Sequence, residues 1–87
     1  MKVKEFKSKV ESLQKEGERF KIEYSGEEFN FGCFYVDRDG EKSLSVGKSI
    51  ASMNVEKITD KYVTLYSYYM MSQKTTYKMA IDLIELV

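Results

Sequence analysis

The chain opens with apolar residues at Val3, Phe6, Val10 and Leu13, with lysine and glutamate filling most of the gaps. Steps of three, four and three match the turn of an α-helix and gather these four onto one stripe. Gly17 follows and suits the left-handed residue that ends a helix, so the spacing predicts a helix over 3–16. From Phe20 the period drops to two. Phe20, Ile22 and Tyr24 alternate with Lys21 and Glu23, and the alternation resumes at Phe29, Phe31, Cys33 and Tyr35. With Ser25-Gly26-Glu27-Glu28 as a four-residue turn, Tyr24 pairs with Phe29, Ile22 with Phe31 and Phe20 with Cys33, all on one face. Asp39-Gly40 is a type I′ hairpin dipeptide, because that turn needs positive φ at both central residues. It pairs Arg38 with Glu41, Asp37 with Lys42, Tyr35 with Leu44 and Cys33 with Val46, which extends the same apolar face.

The pattern breaks at 47–58. Ile50, Met53, Val55 and Ile58 do not share a parity, which predicts a loop and then a bulged strand over 53–58. Thr59-Asp60-Lys61 turns the chain into a strand over 62–70, partnered by 75–81. An odd-numbered loop between them puts Val63, Leu65 and Tyr69 on a face with Tyr77, Met79 and Ile81. Tyr62, Thr64, Tyr66 and Tyr68 then show on the other face beside Thr76 and Lys78. An even loop would mix the tyrosines with Tyr77 and Met79, so the odd loop segregates the aliphatics better. Asp82 is placed to cap a short turn over 83–86. The fold class expected is α+β, with an N-terminal helix packed on a five- or six-stranded antiparallel, meander-like sheet that a strong bend closes into a small barrel.

Composition narrows the chemistry. Eighty-seven residues make a single domain, 1–87. Lys+Arg and Asp+Glu number 14 each, so neither bulk attraction to nucleic acid nor acidic mimicry of it is expected. There is no histidine, which removes the commonest general base and metal ligand together. Cys33 is the single cysteine, excludes an internal disulfide, and reads as a small buried hydrophobe. No stretch is long and apolar enough to span a bilayer, and the first residues lack the apolar centre of a secretory signal. A cytoplasmic protein with no membrane partner is expected.

Motifs that hint at catalysis or metal binding lack their remaining parts. Val46-Gly47-Lys48-Ser49 has the end of a phosphate-binding loop, but Lys42 stands where the loop needs its first glycine. Asp37-Arg38-Asp39-Gly40 starts like a calcium loop, but its glycine comes fourth and Lys48 takes the twelfth position. Glu27-Glu28 and Asp37/Asp39 fall in turns, where solvated carboxylates keep ordinary acidity. No enzyme, metal or cofactor is expected.

The aromatic residues carry the functional signal. Phe34 and Val36 alternate off the core face of one strand, and Tyr62, Tyr66 and Tyr68 off that of another, with Lys78 alongside. Outward aromatics on a sheet give large, rigid contact area to a protein partner or stack on bases. The plain structural reading is that a further layer or a second copy covers them.

Two segments resemble nucleic-acid-binding families. Phe29–Val36, FNFGCFYV, shares the aromatic alternation of the RNP1 strand of an RRM, whose βαββαβ order the chain does not follow. Asp60-Lys61-Tyr62-Val63-Thr64-Leu65 and Thr76-Tyr77-Lys78-Met79-Ala80-Ile81, with the turn at Ile22–Gly26, resemble Sm-like proteins of the bacterial Hfq type. That resemblance implies an N-terminal helix, a strongly bent five-stranded sheet and a ring that binds RNA near a Tyr-Lys-His-Ala-Ile segment. Met79 stands at the histidine here, and residues 37–59 are surplus to the pattern. In overall style the chain also looks like the small accessory proteins of bacteriophages and mobile elements, inhibitors of host defence nucleases among them. The function expected is a non-enzymatic module binding a protein partner through Tyr62, Tyr66, Tyr68, Lys78, Phe34 and Val36. The alternatives are an Sm-like RNA- or ssDNA-binding protein and a self-associating homo-oligomer subunit.

Overall fold

The computed structural model describes residues 1–36, 42–48, 51–69 and 72–87, with side chains described except at 33–36, 42–43 and 69. The helix α1 spans Val3–Glu16. Six strands follow as a meander: β1 Phe20–Tyr24, β2 Glu27–Val36, β3 Lys42–Lys48, β4 Ala51–Ile58, β5 Tyr62–Tyr69 and β6 Gln73–Ala80. A 3-10 turn at Ile81–Leu83 leads to a short strand β7, Glu85–Leu86. All belong to one antiparallel sheet in the order β6-β5-β4-β3-β2-β1-β7. The sheet therefore has seven strands rather than five or six. It curls into a half-barrel with two edges, where the Sm-like pattern implied a bent sheet of five strands.

The helix follows its stripe. Phe6, Val10 and Leu13 are buried and Val3 packs against the same core. Gly17 ends it in the left-handed region (φ 72°), its N–H donating to the Leu13 carbonyl at 3.0 Å. Phe6 meets the rings of Phe31 and Phe20 edge-on, at centroid distances of 5.7 and 6.2 Å. Phe20 and Phe31 lie opposite each other on β1 and β2 and stack at 4.9 Å.

Turn chemistry corrects the first hairpin. Ser25 and Gly26 both have positive φ, 52° and 78°, the signature of a two-residue type I′ turn. Tyr24 therefore faces Glu27, Ile22 faces Phe29 and Phe20 faces Phe31. The slip from the expected pairing is two residues, so every side chain keeps its face.

The second hairpin differs by one residue instead. Phe34 lies opposite Leu44, and Val36 opposite Lys42, where Tyr35 and Asp37 were expected. A one-residue change would turn the apolar face outward. A bulge at Gly32 absorbs it, so Phe31 sits opposite Val46 and Cys33 opposite Ser45. The absence of a side chain at the bulge lets Arg19 lie over it, since a Cβ on Gly32 would come within 3.1 Å of the Arg19 Cδ. The Asp39-Gly40 turn, the side chain of Cys33 and Ile50 lie outside the described residues.

Residues 47–58 do not begin as a loop. Lys48 ends β3, Ala51 starts β4, and Gly47 pairs with Ser52. The expected bulge is present at Glu56: Val55 faces Leu65, and Lys57 faces Thr64. The extra residue brings Ile58 onto the side of Met53 and Val55, and all three pack on the core. The Thr59 hydroxyl accepts the N–H groups of Lys61 and Tyr62, which fixes the next turn. Three residues separate β5 from β6, the odd loop, and Val63 and Leu65 face Met79 and Tyr77. Asp82 lies inside the last turn, whose N-cap is Ala80.

The curl brings β6 against β1 and β2. Tyr77 packs on Phe29 and Tyr24, at 5.8 and 6.3 Å between centroids, and the Ala80 N–H donates to the Tyr24 hydroxyl at 3.2 Å. At the other edge Ile22 and Glu23 pair with Leu86 and Glu85. The Met1 amino group donates to the Ile84 carbonyl at 2.6 Å, tying the start of α1 to the segment before β7.

One row of the outer face carries like charge. Glu23 lies directly opposite both Glu28 and Glu85, and all three are exposed. Facing like charges destabilise a sheet. Glu23→Lys should therefore raise the melting temperature by roughly 2–4 °C at low salt, with a smaller gain at high salt. Thermal melts at two ionic strengths check this, and a lowered melting temperature would refute it.

Candidate functional site

The curl puts alternate residues of β4, β5 and β6 on a continuous outer face. Tyr62, Thr64, Tyr66 and Tyr68 come from β5, and Lys74, Thr76 and Lys78 from β6. The register sets Tyr66 against Thr76 on one side and Asn54 on the other. Tyr68 faces Lys74, and Thr64 lies between Lys57 and Lys78. Tyr62, Tyr66, Tyr68 and Lys78 are thus brought together as the sequence predicted.

Phe34 and Val36 belong to β2, separated from β5 by two strands, β4 and β3. Their expected outward direction rested on the register that the Gly32 bulge replaces, and their side chains lie outside the described residues. They are not part of the assembled face.

The rings and cations of this face are organised together. The Lys78 ammonium sits 4.2 Å from the centre of the Tyr62 ring. Lys74 reaches from β6 across β5 to ion-pair with Glu56, passing 4.9 Å from the Tyr66 ring. Tyr66 meets Tyr68 edge-on at 5.8 Å. Ammonium groups over tyrosine faces gain from the ring quadrupole. The hydrogen bond to the Glu56 carboxylate, with help from its charge, holds the Lys74 ammonium above its usual pKa against some desolvation. This cation is fully charged at neutral pH.

Exposure grades across the patch. Tyr66 is half-buried beneath the Lys74–Glu56 strap, whereas Tyr62 and Tyr68 are 38% and 61% exposed. Thr64 is 8% exposed beneath its flanking lysines. Sequence reasoning missed Lys74 and Glu56. Lys74 shares the parity of Thr76 and Lys78, a signal available in the sequence. Glu56 shares the parity of Asn54, which faces Tyr66 on this side of the sheet.

The opposite side of β6 shows what structural aromatics look like. Tyr77 packs on Phe29 and Tyr24, and Lys48 lies 5.5 Å from its ring while pairing with Glu27 at 2.7 Å. The Glu27 hydrogen bond raises the Lys48 pKa, against some desolvation. Gly47 and Lys48 are strand residues, so they do not form a phosphate-binding loop. Met79, at the histidine position of the Sm-like segment, is completely buried and presents nothing to a ligand. Among the described residues no group of carboxylates and cysteine is arranged to hold a metal, and no helix is long and apolar enough to cross a membrane. Comparison with protein-family models, curated proteins and solved structures finds no match to the chain.

The two kinds of tyrosine should respond differently to truncation. Tyr77→Ala should cost about 2–4 kcal/mol of stability by opening the contact across the curl. Tyr68→Ser should cost less than about 1 kcal/mol, the loss of strand propensity at an exposed position. Urea unfolding of both variants tests this ordering, and equal costs would make Tyr68 a structural residue.

Proposed function

We propose that the chain is a non-enzymatic interaction module that engages a protein partner through the outer face of β5 and β6. The observation that carries this reading is the exposed pair Tyr62 and Tyr68 beside rings and lysines already held in place. Tyrosine offers a broad apolar ring and a polar hydroxyl with few rotatable bonds, so its ordering costs little on binding. Partly pre-positioned side chains lower that cost further.

Charge favours a protein over a nucleic acid. Lys74 is paired with Glu56, whose carboxylate sits within the face, and the net charge of the chain is zero. Phosphate binding draws its affinity from cations that release counterions, and here the Glu56 carboxylate offsets one of the face's three lysines, leaving Lys57 and Lys78. The likeness in style to bacteriophage accessory proteins directs the first search for a partner to nucleases of host defence.

The double variant Tyr66→Ser/Tyr68→Ser tests the reading. Its circular dichroism should match that of the parent chain. A partner protein retained by the parent at low salt should be lost by at least about tenfold, the scale expected for truncating an aromatic anchor. Light scattering with absorbance at 260 and 280 nm distinguishes the other readings. Without tryptophan, the 280 nm signal rests almost wholly on tyrosine, so nucleic acid carried through purification is conspicuous. Salt-labile nucleic acid on the parent chain, or an oligomer that the double variant dissociates, would overturn the proposal.

A further inference from the structure

A second surface, away from the tyrosines, has the composition of a ligand site. A groove of about 770 Å³ is lined by residues of β7, β1, β2 and β3 together with Arg19 and, from α1, Lys9. That is within the size range of small-molecule pockets. Its floor follows the register Lys21–Asn30–Gly47, with Gly32 and Ser45 in the adjoining row. Gly47 leaves that part of the floor low and its backbone open to close approach, whereas Gly32 lies beneath the Arg19 side chain.

Three cations line this groove, Lys9, Arg19 and Lys21; no Asp or Glu lines it, and the lining stays net positive with the α-carboxylate of Val87 counted. None of the three forms an ion pair among the described residues, a state they share with Lys2, Lys4, Lys57, Lys61 and Lys78. The Arg19 side chain lies across Gly32, where a Cβ would stand 3.1 Å from its Cδ and press it aside. The apolar part of the lining is Phe20, half-buried against Phe31, with Leu86 and Val87, which are 47% and 61% exposed. Beyond Lys21 along the same strands stands the row Glu28–Glu23–Glu85. Those carboxylates repel negative charge that extends past the cationic end, so the groove suits a compact anion and disfavours a long polyanion.

We propose that this groove binds a small organic phosphate, its phosphate held by Arg19, Lys21 and Lys9 and its apolar or aromatic body against Phe20, Leu86 and Val87. Arginine supplies a fork of donors for phosphate oxygens, and the lysines supply point charge. The reading is independent of the tyrosine face. It shares no residue with it, so failure of one leaves the other standing.

ADP, pyrophosphate and adenosine are the probes, titrated into the isotope-labelled full chain with amide shifts as the readout. ADP is expected to shift the amides of Lys21, Gly32 and Gly47 and to bind more tightly than pyrophosphate or adenosine. Arg19→Gln should weaken ADP by about 5- to 10-fold, and raised salt should weaken it further. Gly47→Thr provides a check that does not depend on charge. A Cβ there meets only ordinary contacts with Asn30, at 3.8 and 3.9 Å, and threonine suits a strand. This variant should melt no lower than the parent and yet lose ADP by filling the floor. No shifts at about 10 mM ADP, well above the millimolar affinity of a weak site, would overturn the proposal. So would shifts unchanged by Arg19→Gln, pyrophosphate or adenosine binding as tightly as ADP, or an oligothymidine that displaces ADP at lower concentration.

Discussion

One α-helix has to close the core of a sheet much wider than itself. A helix with its side chains is about 10 Å across and strands lie about 4.8 Å apart, so α1 can cover two or three strands of the seven. The rest of the apolar face can be buried only by the sheet itself. It rolls until β6 stands over β1 and β2, and Tyr77 fills the gap against Phe29 and Tyr24. The buried residues Phe29, Phe31, Val46, Val63, Leu65 and Met79 then share one core with Phe6, Val10 and Leu13 of the helix. Loss of the contact across the roll would expose the inner face of four strands together.

The two bulges serve this roll, and they also shape the outside. An extra residue increases local twist and changes parity. At Glu56 it rescues Ile58 for the core, and Lys74 grips the Glu56 carboxylate across Tyr66. At Gly32 it keeps Phe31 opposite Val46 and clears the space in which Arg19 lies. The tyrosine face and the cationic groove are therefore products of the constraint that closes the core. Their residues sit on strands rather than mobile loops, which keeps their geometry definite.

Most of the fold was legible because its signals were periodic. The helix stripe at Val3, Phe6, Val10 and Leu13, the glycine that ends it and the odd loop after β5 all read directly from spacing. Broken parity among Met53, Val55 and Ile58 marked the second bulge. Failures came where a local choice had two good solutions. Ser25 adopts positive φ, a conformation sequence propensity assigns more readily to asparagine, so the turn is two residues and not four. The Gly32 bulge was hidden because an uninterrupted alternation runs through it and glycine fits either face. The site followed the same rule. Tyr62, Tyr66, Tyr68 and Lys78 share a face by alternation on one clean hairpin, whereas the alternation that placed Phe34 and Val36 runs through the bulge and their side chains lie outside the described residues. The groove was not legible at all, because Lys9, Arg19 and Gly47 come from three separate elements.

The pairing of β1 with β7 stands apart from every other pairing in the sheet. Each of the remaining strands pairs with its neighbour in sequence, so hairpins form by closing short loops. Ile22 and Leu86 meet across more than sixty residues, and Met1 reaches Ile84 across 83. Local hairpins gain contacts early in folding, while this join must wait until the meander has brought its ends close. The joined segment is also short, two residues with exposed side chains, and its local opening free energy should be low. Folding thus proceeds as a zipper with a late clasp, and the clasp is the part that native fluctuations release first. In amide exchange, the β7 join would give up its protection while the strands around Val63 and Met79 still hold theirs.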